Sequence, residues 1–329
     1  MNKKTLHCAV VGVGYLGRFH AQKYAALEQV TLVGVCDLHE KQGKQVANEL
    51  GVKWFRDYRE LKGQVDAVTV ASTTSSHYEI AKFFLQNGVH VHVEKPMTST
   101  SLEGEELCQL AKSKNLKLQV GHIERFNSAF LAAKEKLGNP LFIDCHRLAS
   151  LKHRSIDVSV VLDLMIHDLD LILSLVNSKP VEISAIGTPV LTREVDVANA
   201  RIEFESGAIA DITVSRISRK EERKFRVFQK NQYLSIDLSQ GEILLLNKVE
   251  EWSGDRSSLD QKIWSLEKGD ALMVETSAFI NSIQNDQPCV VTGEDGLMAL
   301  RLAEQVESGI YKRLKKLRLN ETKSIDSCS

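Results

Sequence analysis

The chain has 329 residues, of which 43% are hydrophobic and 26% charged, with 42 Lys and Arg against 43 Asp and Glu. Such proportions predict a folded globular protein of about two domains, and the net charge of −1 provides no basic excess for nucleic acid or an anionic membrane. No apolar run approaches the ~20 residues of a membrane-spanning helix. We therefore expect a protein of the cytoplasm that binds a small molecule.

The cysteines and the first residues agree with that expectation. The chain contains no Cys-x-x-Cys pair, which argues against a zinc site and against a disulfide framework, and favours a reducing compartment. Residues 1–4 lead directly into a predicted strand, so we expect no signal peptide. The six cysteines are at positions 8, 36, 108, 145, 289 and 328.

Residues 6–121 alternate short apolar strands with helical patterns, which predicts an N-terminal domain with a doubly wound parallel sheet. The strands are continuous apolar runs, as expected when helices cover both faces of a sheet. Predicted strands are Leu6–Val11, Thr31–Cys36, Ala67–Val70, Val89–Val93 and Leu116–Val120, and predicted helices are Tyr15–Leu27, His39–Leu50, Ser76–Asn87 and Ser101–Ser113.

Residues 122–329 have a different pattern and form the second predicted domain, of α/β class with a large, open and mostly antiparallel sheet. A long apolar helix is predicted over about 156–176, two helices are predicted near 269–284 and 293–313, and residues from about 319 form a loose tail. Glu205-Ser206-Gly207 is a candidate hairpin turn. Predicted strands are Glu182–Ile186, Ala198–Phe204, Ala208–Ser215, Lys224–Gln229 and Tyr233–Asp237.

A glycine-rich turn connects the first predicted strand to the first helix. Its sequence is Gly12-Val13-Gly14-Tyr15-Leu16-Gly17, and Asp37 ends the second strand 20 residues later. Glycines allow a tight turn and close approach of a pyrophosphate, while the helix N-terminus supplies N–H groups to the anion. Asp37 can accept hydrogen bonds from ribose hydroxyls and would repel a 2′-phosphate. The turn therefore predicts a dinucleotide site that prefers NAD to NADP.

Two further groups of residues suggest chemistry. Glu94-Lys95-Pro96 follows the fifth strand, at the sheet edge where ligands bind in open α/β folds, and Pro96 is a candidate for a cis peptide bond. On the apolar helix, Asp163, His167 and Asp170 fall on one stripe at about 100° per residue. An Asp four residues from a His can fix the imidazole tautomer and raise its basicity. Lone residues of these types are more often structural, so the combination carries the prediction.

Together these residues resemble the Gfo/Idh/MocA oxidoreductases, named for glucose–fructose oxidoreductase and inositol dehydrogenase. The resemblance rests on the glycine turn, Asp37, the loop Ser72–His77, Glu94-Lys95-Pro96, Gly121–Asn127 and the Asp163/His167/Asp170 stripe. It implies an N-terminal Rossmann domain, a C-terminal domain whose open sheet mediates homodimers or homotetramers, and an NAD(P)-dependent dehydrogenase that acts on CH–OH groups.

The resemblance also implies the roles of individual residues. Lys95 polarises the reacting oxygen, His167 is the general base, and Asp163 orients the site. Asp170 is expected to be structural, and Asp168 to pair elsewhere. Cofactor contacts are implied for Gly12, Val13, Gly14, Tyr15, Leu16, Gly17, Asp37, Ser72, Thr73, His77, Glu94 and Lys95, and no metal is expected.

The substrate is suggested by basic residues and by departures from the family pattern. Thr73 replaces a common Pro, and the usual glycines around Asp163 are absent, which indicates a bulkier approach than in polyol dehydrogenases. Arg125, Arg147, Lys152 and Arg154 are candidate ligands for phosphate, although a solvated basic loop explains the last three equally well. These features resemble the nucleotide-sugar branch of the family, in particular the UDP-N-acetylglucosamine 3-dehydrogenases.

Two alternatives remain open from the sequence. The same chemistry would serve a dehydrogenase of a free sugar or of inositol. A non-catalytic NAD-binding regulator would keep the fold, but it would have no reason to retain Lys95, Asp163 and His167 together.

Overall fold

The computed structural model describes residues 5–151, 158–251 and 258–326, with side chains described as far as residue 317. The chain forms two compact units: the first comprises Met1–Phe126 and Asp270–Leu300, and the second comprises Asn127–Gly269 and Arg301–Ser329. The predicted domain boundary at residue 121 is therefore close to the end of the first segment. The return of residues 270–300 to the first unit was not predicted.

The strands of the described residues form two sheets. In chain order they are β1 (Leu6–Val11), β2 (Val30–Cys36), β3 (Lys53–Phe55), β4 (Ala67–Val70), β5 (His90–Glu94), β6 (Leu118–Gly121), β7 (Phe142–Leu148), β8 (Pro180–Thr188), β9 (Val197–Phe204), β10 (Ile209–Ser215), β11 (Glu222–Gln229), β12 (Gln232–Asp237), β13 (Glu242–Lys248) and β14 (Leu259–Ser265).

The chain also contains eight α-helices among the described residues, together with shorter segments of other helical types. They are α1 (Tyr15–Ala26), α2 (Glu40–Leu50), α3 (Thr74–Gln86), α4 (Ser101–Ser113), α5 (Ser128–Lys134), α6 (Ile166–Leu175), α7 (Ala271–Gln284) and α8 (Gly293–Asp326). Two 3₁₀ turns cover Tyr58–Leu61 and Ile123–Phe126, and a π-helical segment covers Val161–Met165. Within the described part of the chain, no helix has the length and apolar character required to cross a membrane.

The first unit contains a six-stranded parallel sheet with the order β3-β2-β1-β4-β5-β6. The order reverses between β1 and β4, so the carboxyl ends of these two strands are neighbours at the position where such folds bind ligands. The N–H of Ala71, after β4, donates to the carbonyl of Val11 at the end of β1, at 2.8 Å. The predicted Rossmann architecture is confirmed.

Helix α7 completes the core of the first unit. Phe279 and Ile280 of this helix are fully buried in one apolar cluster with Val10 of β1 and Tyr24 of α1. The side chains of α7 therefore cover apolar surface that the first 126 residues alone would leave exposed to water.

The second unit is built on an eight-stranded sheet with the order β14-β13-β12-β11-β7-β10-β9-β8. Its neighbouring strands are antiparallel except β7 and β10, which are parallel. Burial alternates along β9 and β10, as expected for a sheet with one covered face. At the β9–β10 hairpin, Gly207 has φ of +83° and its N–H donates to Phe204, which confirms the predicted turn.

Several elements differ from the predictions. The first unit contains the short β3, and the second contains α5, β7, β13 and β14, none of which was predicted. The predicted loose tail is wrong as far as Asp326, because α8 continues through residues 319–326. That stretch contains neither Gly nor Pro, so no strong helix breaker ends the helix before Asp326.

Candidate active site

The three glycines of the turn between β1 and α1 have different surroundings. Gly12 has φ of +82°, and a Cβ atom there would lie 2.5 Å from the backbone nitrogen of Ser72. A Cβ on Gly17 would lie 1.8 Å from the carbonyl oxygen of Gly12. At Gly14 no atom comes within 4 Å of the same position. The first and third glycines are thus required by packing, whereas Gly14 leaves open space beside the N-terminus of α1, as a bound pyrophosphate requires.

The residues between these glycines also differ in burial. Val13 is fully buried, whereas the side chains of Tyr15 and Leu16 are exposed on the first turn of α1. The Tyr15 ring makes an edge contact with Phe19, at 5.3 Å between centroids. The turn therefore presents backbone N–H groups and an aromatic side chain on its open side.

Asp37 follows β2 and faces the turn. Its Oδ2 accepts a hydrogen bond from the N–H of Val13 and its Oδ1 accepts one from the N–H of His39, both at 2.8 Å. The indole N–H of Trp54 donates to the Asp37 carbonyl at 3.1 Å. Each carboxylate oxygen is held by one donor and retains acceptor capacity, so the geometry fits the ribose hydroxyls of a dinucleotide.

His77 lies in the first turn of α3 and is buried. Its Nδ1 is 2.9 Å from the carbonyl oxygen of Pro96, and its Nε2 is 3.0 Å from the carbonyl oxygen of Ser72. Burial lowers the pKa of His77, although both carbonyls act in the opposite direction. Both ring nitrogens are engaged by backbone groups, so His77 joins two loops instead of offering a ring nitrogen to a ligand. Thr73, beside it, precedes α3 as its N-cap residue.

The loop after β5 carries Lys95, and the Lys95–Pro96 peptide bond is cis, as predicted. Glu94 is buried beneath it: Oε1 lies 2.8 Å from the Nε2 of His20, and Oε2 accepts the N–H of Lys95 at 3.2 Å. Burial alone would raise the pKa of Glu94, but the His20 hydrogen bond and the neighbouring positive groups lower it to about 2. Glu94 is therefore an anion that fixes the backbone of Lys95.

A second buried carboxylate lies behind Glu94. Glu275 of α7 is fully buried, and its Oε1 is 3.9 Å from the Nε2 of His92. Burial and the charge of Glu94 raise the pKa of Glu275 well above its usual range, so this pair of carboxyl groups retains one proton. His20, Glu94 and Glu275 place ligand atoms within 4.8 Å of one another, but the His20–Glu94 hydrogen bond already uses two of these groups.

In the second unit, the predicted helix that carries Asp163 and His167 is a composite. Asp163 lies in the π-helical segment Val161–Met165, and His167 lies in the first turn of α6. Both side chains are half-buried, while Val161 and Ile166 are fully buried. Single π-helical turns recur at functional sites, and this one carries Asp163, whereas His167 and Asp170 of the predicted stripe lie in α6.

Asp168 and Arg147 form a buried ion pair. The Nε and Nη2 atoms of Arg147, on β7, each donate to one oxygen of the Asp168 carboxylate at 2.8 Å. The prediction that Asp168 pairs elsewhere is confirmed. Arg147, a predicted substrate residue, is instead directed at Asp168, and its side chain is 4% exposed. Asp170 is buried as well, in line with its expected structural role.

Of the other three predicted substrate residues, the structure describes one, Arg125. Arg125 is buried on the turn Ile123–Phe126, and its Nη2 lies 3.9 Å from Asp295 within the first unit. Lys152 and Arg154 lie outside the described residues.

The sequence reasoning missed four buried polar residues around these groups: His20, Glu275, Asp196 and Arg216. Only His20 had a usable local signal, because it occupies the buried stripe of α1 with Gly17, Ala21 and Tyr24. A histidine on an otherwise apolar stripe requires a buried partner.

Comparison with known proteins agrees with this geometry. Residues 6–122 match the model of the oxidoreductase family with an NAD-binding Rossmann fold, and residues 130–235 match the GFO/IDH/MocA C-terminal domain. The first match spans nearly all of the first predicted domain, and the second spans about half of the other.

Individual relatives extend the match to almost the whole chain. The chain is 35% identical to a UDP-N-acetylglucosamine 3-dehydrogenase of Acidithiobacillus ferrooxidans, over 93% of this chain and 97% of that protein, and a solved structure of that protein superposes with a TM-score of 0.87. It is 26% identical to a myo-inositol 2-dehydrogenase of Thermotoga maritima, over 94% and 97% of the two chains. The structure of a Lactobacillus casei scyllo-inositol dehydrogenase with bound NAD(H), 22% identical over 94% and 98%, shares the fold with a TM-score of 0.79. The chain belongs to the Gfo/Idh/MocA family and is an NAD-binding oxidoreductase that acts on CH–OH groups.

Proposed function

We propose that this enzyme oxidises a secondary alcohol of a nucleotide sugar with NAD, and that UDP-N-acetylglucosamine, oxidised at C3, is the substrate. The observation that carries the proposal is the 35% identity to a UDP-N-acetylglucosamine 3-dehydrogenase over 93% of the chain. The inositol dehydrogenases are less similar over comparable lengths. Val160 and Val161 before Asp163 are fully buried, so their bulk does not bear on the size of the substrate.

We assign three groups to the chemistry, following the family resemblance. His167 accepts the proton of the substrate hydroxyl, Lys95 donates a hydrogen bond to the same oxygen, and Asp163 orients the histidine. NAD, when bound, accepts the hydride from the carbinol carbon. The anion Glu94 supports this assignment, because its hydrogen bond to the N–H of Lys95 fixes the position of that residue on the loop.

The residues around the glycine turn support NAD over NADP. The Asp37 carboxylate is held in place by Val13 and His39, so it cannot turn away from a 2′-phosphate without losing both hydrogen bonds. Residues 38–40 contain no Arg to neutralise such a phosphate.

Substrate identity is tested by supplying NAD with UDP-N-acetylglucosamine, UDP-glucose, N-acetylglucosamine 1-phosphate and myo-inositol, and recording NADH. We expect turnover of UDP-N-acetylglucosamine and a keto product that mass spectrometry identifies as the substrate minus two hydrogens. Turnover of myo-inositol without turnover of any UDP-sugar would favour the polyol alternative. Absence of turnover on every substrate, with tight binding of NAD, would favour the regulator.

The assignment of the base is tested with His167→Asn. Loss of general base catalysis should lower kcat by roughly 10²- to 10⁴-fold, while the Kd for NAD stays unchanged. His146→Asn is a matched control, because His146 is a partly exposed histidine of the same unit that faces Asp144 at 3.2 Å. Full activity of the His167 variant would contradict the assignment.

Two further predictions remain proposals. Lys152 and Arg154 would bind the diphosphate, so Lys152→Ala and Arg154→Ala should raise KM for the UDP-sugar more than for N-acetylglucosamine 1-phosphate. The family resemblance implies a homodimer or homotetramer formed through the second sheet, which light scattering tests directly.

A further inference from the structure

The segment that carries Asp163 and His167 is held at its start by neighbouring elements of the second unit. Arg216, directly after β10, donates from Nη2 to the carbonyl oxygen of Val158 at 2.7 Å. The N–H of Val160 donates to the carbonyl oxygen of Val195 at 2.9 Å. Two backbone groups shortly before Asp163 are thus fixed by residues that are distant in sequence.

Ser159, between these two anchors, is fixed as well. Its Oγ accepts the N–H of Val161 at 3.1 Å and is hydrogen-bonded to Glu307 of α8. Its carbonyl accepts the N–H of Asp163 at 3.1 Å. Residues 158–160 therefore act as the base on which the π-helical segment is built.

Asp196 organises the anchors. Its carboxylate is fully buried and accepts the N–H groups of Val190, Leu191 and Thr192 at 2.8, 2.6 and 2.8 Å, and the Thr192 hydroxyl at 2.8 Å. Its backbone carbonyl accepts the N–H of Arg216 at 3.0 Å. The carboxylate thereby closes the turn before β9, while the backbone carbonyl of the same residue fixes Arg216, which holds Val158.

The charges of this cluster are complementary. Burial opposes ionisation of Asp196, but its four hydrogen bonds lower the pKa to about 2, so the group is an anion. The Nε of Arg216, which is 4% exposed, lies 3.9 Å from Oδ1 of Asp196. Removal of either charge leaves the other buried next to its remaining partners.

We propose that Asp196 and Arg216 are positioning residues for hydride transfer: they fix residues 158–160 and through them the orientation of His167. This inference rests on the catalytic roles proposed above for Asp163 and His167. Neither Asp196 nor Arg216 is assigned a contact with substrate or cofactor. Their effect is on kcat, because misplacement of a catalytic group by about 1 Å costs roughly 100-fold in rate.

The test compares Asp196→Asn with Asp237→Asn. Asp237 is a matched control in the same unit: its carboxylate accepts the N–H groups of Ser239 and Gln240 and faces Lys224 at 2.9 Å, but no described contact joins it to residues 158–167. At a temperature where all variants are folded, we expect kcat to fall roughly 10- to 100-fold in Asp196→Asn and less than about twofold in the control, with the KM for NAD unchanged in both.

A second readout does not depend on turnover. With isotope-labelled histidine, the NMR signal of His167, assigned by its loss in His167→Asn, should shift in Asp196→Asn, while the signals of His20 and His92 in the first unit remain in place. This measurement reports the position of His167 even if the His167 variant proves fully active, so failure of the proposed function and failure of this inference are distinguishable.

The milder variant Arg216→Lys covers the case in which Asp196→Asn does not fold. Lysine keeps the positive charge beside Asp196 but lacks the planar fork, so we expect an intermediate loss of kcat and a smaller shift of His167. A lower Tm in the folded variants, with kcat and the His167 signal at wild-type values, would overturn the proposal.

Discussion

In the first unit the candidate site is made largely from backbone groups, whereas in the second unit it is held by buried ion pairs between side chains. The glycine turn, the N–H donors to Asp37 and the two carbonyls around His77 belong to the first kind. Arg147–Asp168 and Arg216–Asp196 belong to the second.

The difference predicts how each unit responds to amino-acid substitutions. A backbone-built turn depends on residues that permit its conformation, so a single methyl group in the wrong place disturbs it. An ion pair depends on both partners being present, so removal of one partner costs more than replacement of both by apolar groups. The following predictions test this contrast.

The largest effect is expected for Arg147→Met, which leaves the Asp168 carboxylate buried without its bidentate partner. The free energy of unfolding should fall by about 3–5 kcal/mol, measured by urea denaturation. Arg201→Met is the control, since its pair with Asp211 is similarly short at 2.9 Å but substantially exposed, and should cost about 0–1 kcal/mol. We expect the double variant Arg147→Met/Asp168→Leu to be more stable than Arg147→Met alone. Equal losses of unfolding free energy in Arg147→Met and Arg201→Met would contradict the contrast between the two kinds of ion pair.

The next effect is expected in the glycine turn. Gly17→Ala places a methyl group 1.8 Å from the carbonyl oxygen of Gly12 and should cost about 1–3 kcal/mol of unfolding free energy. Gly14→Ala meets no atom within 4 Å and should change stability by less than about 0.5 kcal/mol, yet weaken NAD binding. Thermal unfolding measures the loss of stability, and NAD titration measures the loss of cofactor binding. A stable Gly17→Ala, or a Gly14→Ala that binds NAD normally, would contradict the assigned roles.

The contrast also determines how much could be predicted from the sequence. In the first unit, β1, β4 and α4 have the predicted bounds, and the Gly12–Gly17 turn and Asp37 are where the motif indicates. These features depend on local conformational preference, which a short stretch of sequence encodes. The three-residue β3 was not predicted, because it is too short to show a periodic pattern of apolar residues.

In the second unit, the decisive pairings join residues on separate elements. Arg147 and Asp168 are 21 residues apart, on a strand that was not predicted and a helix that was. The basic residues near Arg147 in the sequence suggest a substrate ligand, whereas in the folded chain its guanidinium binds Asp168. The π-helical segment could not be predicted either, because its apolar residues fit an ordinary α-helix equally well.

A pH-dependent effect is expected for the buried pair Glu94 and Glu275. The pKa of Glu275 is raised in the folded state, so the stability that its proton provides is present below about pH 4.5 and is lost as the pH rises through the folded pKa. Glu275→Gln keeps a neutral group at every pH. Relative to wild type it should therefore gain stability with rising pH, by up to about 1.4 kcal/mol per pH unit.

Urea denaturation across the pH range measures this difference. Glu40→Gln is the control, because the pKa of the exposed Glu40 is lowered by Lys44 and any change it causes has the opposite sign. A constant difference between Glu275→Gln and wild type from pH 4 to pH 8, roughly the working range of such proteins, would show that Glu275 is ionised in the folded state.

The smallest effect concerns cofactor choice and tests whether a side chain matters in the backbone-built site. Asp37→Ala removes the acceptor for ribose hydroxyls and the charge that repels a 2′-phosphate, so NAD binding should weaken roughly tenfold, about 1.4 kcal/mol, while NADP loses less. Asp66→Ala is the matched control: Asp66 also accepts a backbone N–H, that of His7 at 2.8 Å, but it precedes β4 at the opposite edge of the sheet. Titration of Asp37→Ala and Asp66→Ala with NAD and with NADP measures the Kd values that test this prediction. If the ratio of the two Kd values stays at its wild-type value in Asp37→Ala, selectivity resides in the backbone and the Asp37 carboxylate serves only to hold Val13 and His39.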